Sequence, residues 1–249
     1  MRVAFDLDGV LADLHEPFVR TAAQLFPELD RGAIKSADIG ASPDDKEVDE
    51  DDAASLGGAP ATSLTTAVPL TSSQSDAVWR YLAGVDDFWE GLNEIEAGAI
   101  ARLAALADER RWEVLFITSR PHSAGRTVQR QSQRWLERLG FPLPSLYVVH
   151  GSRGRIAAAL HIDVVVDDRP ENCLDVVLES KAGAVLVWRG EAATVPASAK
   201  RLGIAVVPTV AACLDALVEA ERSGSERGFL ERLRGLLGLR TQPASGLRR

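Results

Sequence analysis

The sequence has few cysteines and no long hydrophobic run. Its 249 residues include only Cys173 and Cys213, which are too few to form a disulfide scaffold and which both lie in apolar helical patterns. No stretch approaches the roughly 18 consecutive apolar residues of a transmembrane helix. The first ten residues carry an arginine and two aspartates, unlike a secretory leader. We therefore expect a cytoplasmic protein without a membrane span.

Positive charge is also scarce. Lys and Arg number 28 against 36 Asp and Glu, so the formal net charge is −8. A chain of this kind is not a general binder of nucleic acid or of anionic membranes, although a local basic patch remains compatible with it. Hydrophobic residues make up 46% of the sequence, which is enough to build a core and excludes wholesale disorder.

Short apolar runs alternate with segments of helical periodicity. The runs are predicted to be strands, at residues 3–7, 113–118, 146–150, 164–166 and 184–187. Helices are predicted at residues 95–109, 127–139, 153–160 and 171–182, and from an N-cap at Thr209 to residue 221. Because strands that are apolar throughout need cover on both faces, the alternation predicts an α/β fold with a Rossmann-like, doubly wound parallel sheet.

The distance between the first two predicted strands is too long for a plain crossover. Residues 14–92 are therefore predicted to form a small, mainly α-helical cap inserted after strand one, with helices near 16–29 and 76–92. An acidic stretch, DDKEVDEDD, and a run of small residues predict a flexible loop at about 40–75. The catalytic core is then residues 1–13 and 93–221.

The C-terminal part, residues 222–249, differs in charge from the core. It contains seven Arg against two Glu and reads as a linker followed by a basic amphipathic segment, FLERLRGLLGL. Such a segment either packs on its own domain or binds a partner or a membrane surface. Its partner is not identified by the sequence.

The strongest chemical signal lies at the end of the first strand. The segment VAFDLDGVLAD places Asp6 and Asp8 just before a turn at Gly9. Successive strand residues point to opposite faces, so both carboxylates point to one side and leave the carboxyl edge of the sheet together. In open α/β sheets, this edge is where ligands bind.

Three other predicted strands end in polar residues at the same edge. Thr118 and Ser119 follow the second strand, Arg153 opens the helix after the third, and Asp167 and Asp168 end the fourth. Four carboxylates at one edge would repel one another, and a divalent cation would relieve that repulsion. Oxygen ligands of this type suit Mg²⁺.

These segments, taken in order, resemble the four motifs of the haloacid-dehalogenase-like (HAD-like) phosphohydrolases. The matching pieces are DLDGVL, the Thr-Ser of FITSR, a basic residue opening a helix, and DD after an apolar strand. The resemblance covers residues 1–13 and about 93–220. It implies a Mg²⁺-dependent phosphatase that hydrolyses a phosphate monoester through an aspartyl-phosphate intermediate.

The resemblance also implies a role for each matching residue. Asp6 corresponds to the nucleophile, and Asp8 to the general acid and base whose backbone carbonyl binds Mg²⁺. Asp167 and Asp168 correspond to the acidic pair that completes the metal site. The implied phosphate-binding residues are Gly9, Thr118, Ser119, Arg120 and Arg153. Arg153 stands where the family usually has Lys, and the nearby Arg155 competes for that role.

The substrate class is inferred from a narrower resemblance. DLDGVLAD with a short helical cap and IDVVVDDRPEN resemble the 5′-nucleotidase branch, including the deoxyribonucleotidases. This implies a small phosphorylated substrate, a nucleotide. His15 and Phe18, which come just after the catalytic loop, are candidate substrate contacts.

Two alternative functions remain open at this point. The arginines that recur every four residues from 126 to 138 form a basic stripe that would suit a polynucleotide-end phosphatase, if the stripe guides a nucleic-acid backbone. Alternatively, the basic tail recruits a partner to a non-catalytic HAD-like binding or scaffold protein.

Overall fold

The computed structural model describes residues 1–29, Ile34 and residues 70–222. Strands and helices alternate along the core. The strands are β1 (Arg2–Phe5), β2 (Ala12–Asp13), β3 (Asn93–Glu94), β4 (Glu113–Thr118), β5 (Ser145–Val148), β6 (Val164–Asp167), β7 (Gly183–Val187) and β8 (Ala205–Val207). The helices are α1 (His15–Leu25), α2 (Ser72–Ala83), α3 (Ala99–Arg110), α4 (Val128–Arg138), α5 (Arg153–Ala159), α6 (Pro170–Glu179), α7 (Ala197–Arg201) and α8 (Val210–Glu221).

Six of these strands form one parallel sheet in the order β5-β4-β1-β6-β7-β8. β1 lies in the interior of the sheet, and Phe5 is in register with Phe116 of β4 and Val166 of β6. The order places the ends of β4, β1 and β6 side by side. The three strand ends that carry the predicted site residues are therefore neighbours.

The sheet is covered by apolar side chains on both faces, as its apolar strands require. Val3 and Phe5 belong to one buried cluster together with Phe116, whereas Ala4 belongs to a second cluster together with Leu115. Alternate residues of one strand thus enter two separate cores, which is the arrangement of a doubly wound α/β fold.

The insertion leaves and rejoins the core through a short antiparallel pair, β2 with β3. Its helices α1 and α2 pack on each other, and Phe18 contacts Trp79 edge to face with 5.4 Å between ring centroids. A 3₁₀ turn, Phe88–Gly91, then leads back toward the core. The insertion thereby ends beside α4, which it contacts directly.

The predicted flexible loop extends too far toward the C-terminus. Residues 72–75 are the first turn of α2, because Thr71 and Gln74 form a capping box in which each side chain binds the other residue's backbone N–H. The rest of the acidic loop, up to residue 69, lies outside the described residues. So does the basic tail from residue 223 onward.

Other element boundaries differ for local reasons. The predicted helix at 95–109 begins only at Ala99, because the Glu94 carboxylate accepts hydrogen bonds from the N–H groups of Gly98 and Ile100 and Gly98 is left-handed with φ of 80°. β8 and α7 were not predicted, since each has five residues or fewer. Thr209 is the N-cap of α8 as predicted. Among the described residues, no helix is long and apolar enough to cross a membrane.

Candidate active site

The carboxyl edge of the sheet brings together side chains from three strand ends. Asp6 and Asp8 follow β1, Thr118 ends β4, and Asp167 and Asp168 lie at the end of β6. Asp6 is only 8% exposed, and Thr118 and Asp167 are buried. The residues predicted as one site therefore do lie at adjacent strand ends of one sheet edge.

Arg153 supplies the positive charge nearest to Asp6. Its guanidinium is 4% exposed, and Nη2 lies 3.4 Å from Asp6 Oδ1 and 3.3 Å from Ser119 Oγ. Nε lies 3.9 Å from Asp167 Oδ2 and has no hydrogen-bond partner. Arg155 instead pairs with Glu179 on the exposed side of α5. Of the two arginines considered for this position, Arg153 is the one at the site.

The carboxyl groups around Arg153 are short of positive charge. Burial, followed by the charge of Asp167, raises the pKa of Asp6 well above its ordinary value. Burial also raises the pKa of Asp167, and burial together with the Asp167 charge raises the pKa of Asp168 to about 7. Arg153, with Arg169 acting on Asp167 and Asp168, offsets only part of the charge of these three carboxylates, so this part of the edge favours an additional cation.

The predicted metal ligands Asp6, Asp8, Asp167 and Asp168 stay a prediction, in which Asp8 contributes its backbone carbonyl. No group of three or more His, Cys, Asp or Glu side chains in the part of the chain that the structure describes is arranged around a metal position. Both Asp167 oxygens accept hydrogen bonds from the Asn172 amide, at 3.2 and 3.0 Å, and one also accepts from the Arg169 N–H at 2.8 Å. The Asp8 carboxylate is bound by Arg120. These hydrogen bonds orient Asp167 and Asp8 and leave lone pairs on both carboxylates for a further ligand.

Gly9 allows Asp168 to approach the loop after β1. An added Cβ at Gly9 would lie 2.0 Å from Asp168 Oδ2, and the residue has a left-handed φ of 83°. Only glycine fits both the backbone conformation and the close carboxylate. The Asp168 carboxylate is thereby held against the backbone next to Asp8. Hard oxygen donors at this point fit a divalent cation such as Mg²⁺.

Arg120, predicted from the sequence to bind phosphate, contacts Asp8 and Ser132 in the structure. Its Nε donates to Asp8 Oδ2 at 2.8 Å and its Nη2 donates to Asp8 Oδ1 at 2.8 Å. Nη1 donates to Ser132 Oγ at 2.8 Å. The sequence placed Arg120 beside the second motif correctly, but its neighbours in the fold direct its charge to Asp8.

The two predicted substrate contacts, His15 and Phe18, both lie within the insertion and contact other residues of it. Phe18 is fully buried against Trp79, so it offers no surface to a ligand and its predicted role is wrong. His15 is half-buried, and its Nε2 lies 3.1 Å from the carbonyl oxygen of Ile34, another residue of the insertion.

Thr118, a predicted phosphate-binding residue, has its Oγ1 3.4 Å from Asp8 Oδ2.

A bracing residue that sequence reasoning missed is Arg189, just after β7. It donates hydrogen bonds to the carbonyl oxygens of Gly9 and Val10 and to Glu96 Oε1, the last at 2.8 Å. Glu96 in turn accepts from the N–H of Val210 at the start of α8, at 2.7 Å. Although burial opposes it, hydrogen bonds from the α8 N–H groups hold the pKa of Glu96 below its ordinary value. The sequence did contain one signal for this role, because Arg189 follows a predicted strand and so lies at the carboxyl edge of the sheet.

The basic stripe on α4 is largely occupied by partners within the chain. Arg126 forms an ion pair with Asp87. Arg134 Nε lies 2.6 Å from Glu90 Oε1, and Arg138 donates to the Glu90 carbonyl oxygen at 2.6 Å. These arginines join α4 to the returning end of the insertion. Their periodicity therefore serves the contact between cap and core.

Comparison with solved structures shows which fold this is. The crystal structure of a HAD family hydrolase from Deinococcus radiodurans R1, with bound phosphate and sodium, is similar to this chain with a TM-score of 0.52 and 20% identity, over 95% of this chain and 97% of that one. A hydrolase from Pseudomonas syringae is similar with a TM-score of 0.44 and 16% identity, over 90% and 100% of the chains. No family model and no curated protein matches the chain. The first similarity confirms the predicted fold class.

Proposed function

We propose that this chain is a Mg²⁺-dependent phosphatase that hydrolyses a phosphate monoester through an aspartyl-phosphate on Asp6. The observation that carries the proposal is the pairing of Asp6 with Arg153. A buried carboxylate at the end of a central strand, 3.4 Å from a buried guanidinium, is placed to attack an anion that the arginine attracts.

The proposed reaction has two steps, and both use Asp6 and Asp8. An Asp6 carboxylate oxygen bonds to phosphorus, the bond between phosphorus and the leaving oxygen breaks, and that oxygen takes a proton from Asp8. Water then bonds to phosphorus and gives a proton to Asp8, while the bond between Asp6 and phosphorus breaks. The products are the alcohol and inorganic phosphate, and both aspartates return to their starting states.

Other residues near Asp6 fit the binding of the phosphoryl group. Arg153 Nε is buried without a hydrogen-bond partner, and an anion oxygen would satisfy it. The Ser119 hydroxyl already contacts the same guanidinium. Mg²⁺ bound through Asp6 and Asp168 would offset the negative charge of nucleophile and phosphate. The Deinococcus hydrolase, which is similar in fold, has been crystallised with bound phosphate and sodium.

The proposed substrate is a nucleoside 5′-monophosphate. This finer proposal rests on the motifs DLDGVLAD and IDVVVDDRPEN at the two ends of the site. The aromatic residues Phe18, Trp79 and Trp89 do not add to it, because all three are buried in packing and present no stacking surface for a base. A cytoplasmic location remains a prediction from the sequence.

Phosphate release from a panel of phosphomonoesters tests the proposal. The panel contains nucleoside 5′- and 3′-monophosphates, sugar phosphates and an oligonucleotide with a terminal phosphate, each assayed with Mg²⁺ and with EDTA. We expect Mg²⁺-dependent release that is fastest with a 5′-monophosphate and absent in Asp6→Asn. Equal release in EDTA contradicts the metal requirement, and no release from any ester contradicts the proposed function.

The two alternative functions gain no support from the described residues. Three of the four arginines that suggested a polynucleotide substrate contact the insertion: Arg126 and Arg134 pair with Asp87 and Glu90, and Arg138 donates to the Glu90 carbonyl. The tail that suggested a scaffold role lies beyond residue 222. The oligonucleotide in the panel keeps the first alternative open to direct measurement.

A further inference from the structure

We propose that Arg120 is a positioning residue that affects catalysis only through Asp8. It holds the Asp8 carboxylate in one orientation from a slot between two tryptophans, and it does not bind the phosphate. The inference rests on the proposed function, because it concerns the residue to which that function assigns proton transfer.

The contact between the two side chains has the geometry of a fork. Nε and Nη2 of Arg120 each donate to a different oxygen of Asp8, both at 2.8 Å. A two-point contact between planar groups fixes the rotation of the carboxylate as well as its position. A lysine at this position would attract Asp8 without fixing that rotation.

Exposure separates the roles of the two partners. The Arg120 side chain is 0% exposed, whereas the Asp8 side chain is 18% exposed. The carboxylate therefore faces the open site, and the guanidinium lies behind it. A carboxylate has about four lone-pair sites, so the fork leaves positions through which Asp8 can exchange a proton.

The slot around Arg120 is rigid. Its guanidinium carbon lies 4.7 Å from the ring centroid of Trp89 and 5.4 Å from that of Trp135, so the cation contacts aromatic rings from the insertion and from α4. Nη1 is bound to Ser132 at 2.8 Å. Turning the guanidinium toward a phosphate would break buried hydrogen bonds on both sides.

The walls of the slot are themselves held in place. The Trp89 indole donates to the carbonyl of Pro121 at 3.1 Å, and the Trp89 N–H donates to Gln131 Oε1 at 3.0 Å. The Trp135 indole donates to the carbonyl of Leu92 at 2.8 Å. Because Trp89 and Leu92 belong to the returning end of the insertion, the packing of cap on core determines where Arg120 holds Asp8.

A double-mutant cycle on Arg120 and Asp8 tests this inference. The proteins are the wild type, Arg120→Met, Asp8→Asn and the double variant. The substrate is p-nitrophenyl phosphate, whose leaving group needs little protonation, so the Asp8 variants keep a measurable rate. The two readouts are kcat/KM and the inhibition constant of inorganic phosphate, each measured with Mg²⁺.

A positioning role predicts strong non-additivity. We expect Arg120→Met and Asp8→Asn each to lower kcat/KM at least about tenfold, which is less than the roughly 10²- to 10⁴-fold of general acid and base catalysis because this leaving group needs little protonation. The double variant is expected within about threefold of Asp8→Asn, because Arg120 has nothing left to position. The inhibition constant of phosphate is expected to stay within about twofold in Arg120→Met.

Additive losses in the double variant would overturn the inference. A rise of about tenfold or more in the phosphate inhibition constant of Arg120→Met would do the same, since it would make Arg120 a phosphate ligand. If the wild type releases no phosphate from any ester, both the proposed function and this inference are contradicted. An active wild type with additive losses overturns the inference alone.

Two further variants guard against a folding defect. Arg120→Lys keeps the charge and loses the fork, so we expect a kcat/KM between those of the wild type and Arg120→Met, and the same non-additivity with Asp8→Asn. Arg134→Met is the matched control, because it also removes an arginine–carboxylate pair at the contact between α4 and the insertion, but without touching Asp8. Its kcat/KM is expected within about threefold of the wild type.

Discussion

The two buried arginines of the site lie in very different surroundings. All three nitrogens of Arg120 donate short hydrogen bonds, and the guanidinium contacts two aromatic rings. Arg153 is equally buried, but its shortest contacts are 3.3 and 3.4 Å and its Nε has no hydrogen-bond partner. An arginine with complete bonding serves the protein, whereas a buried one with incomplete bonding is suited to a ligand. We call the surroundings of these residues the Arg120 side and the Arg153 side.

The carboxylates on the two sides differ in the same way. Asp8 on the Arg120 side is matched by one cation in a fork. Asp6, Asp167 and Asp168 on the Arg153 side have Arg153 and Arg169 nearby, and the pKa of each is still raised. The charge of Asp8 is matched without a ligand, whereas the excess negative charge on the Arg153 side would be offset by a metal ion, which would also allow an anionic substrate to bind.

The largest expected effect comes from Asp6→Asn on the Arg153 side. We expect a loss of turnover of at least about 10⁴-fold, because the amide cannot form the aspartyl-phosphate. The measurement is phosphate release from the best substrate of the panel, with circular dichroism as the check of folding. A folded variant with near-normal turnover would exclude Asp6 as the nucleophile.

Removing a carboxylate is expected to change stability in opposite directions on the two sides. Asp8→Asn leaves the buried Arg120 without its counter-charge, and we expect the free energy of unfolding to fall by about 3 kcal/mol. Asp168→Asn is expected to raise it in EDTA at pH 8. Urea unfolding of both variants measures the two signs, and a loss of stability in both would remove the difference between the sides.

The pH dependence of the Asp168 effect follows from its pKa. Burial and the Asp167 charge raise the pKa to about 7 in the folded protein, above the value in the unfolded chain. The folded state therefore binds this proton more tightly, and the resulting stabilisation is full below about pH 4 and is lost as the pH rises through about 7. We expect the gain from Asp168→Asn to be on the order of 1 kcal/mol at pH 8 and absent at pH 4. The same gain at both pH values would contradict the assignment.

Phosphate binding distinguishes the two arginines directly. Arg153→Gln is expected to raise the inhibition constant of inorganic phosphate at least about tenfold, because a charge-assisted contact to the anion is lost. Arg120→Met, in the same assay, is expected to leave it nearly unchanged. Equal increases in the two variants would show that both arginines contact the phosphate.

The smallest expected effects come from the serine bound to each arginine. Ser132→Ala leaves a buried Arg120 donor without a partner, and we expect a loss of about 1 kcal/mol in unfolding free energy with unchanged phosphate inhibition. Ser119→Ala is expected to do the reverse, with little change in stability and a weaker inhibition by phosphate. Thermal unfolding and phosphate inhibition are measured for both variants. A loss of phosphate inhibition in Ser132→Ala and a loss of stability in Ser119→Ala would mean that Arg120 binds the ligand and Arg153 serves the structure.

The order of motifs along the sequence was enough to predict the sheet and the edge at which the candidate site residues meet. Asp6, Thr118 and Asp167 each end an apolar run, and in a parallel sheet such ends share one edge. The choice between Arg153 and Arg155 was not predictable in the same way. It depends on which face of α5 packs on the sheet, and that face is set by tertiary contacts.

The role of Arg120 was beyond sequence reasoning for a similar reason. Its position after Thr118 and Ser119 suggested the phosphate, but its direction depends on Trp89 and Trp135, which are distant in sequence. Phe18 was misassigned because an aromatic residue near a catalytic loop gives the same pattern whether it packs inward or faces a ligand. The sequence pattern predicts which residues lie at the sheet edge. It does not predict where their side chains point, because tertiary packing determines that direction.

The bonds of Arg189 have a consequence for how the protein is made. The loop that carries Gly9 and Val10 is synthesised well before the residues that hold it. Its brace, Arg189, and the α8 N–H groups that hold Glu96 are synthesised about 180 to 200 residues later, which is on the order of ten seconds at the usual pace of translation. The loop after β1 therefore gains these contacts only when nearly the whole core has been synthesised. If the proposed function is right, a nascent chain stalled before residue 189 is expected to be inactive.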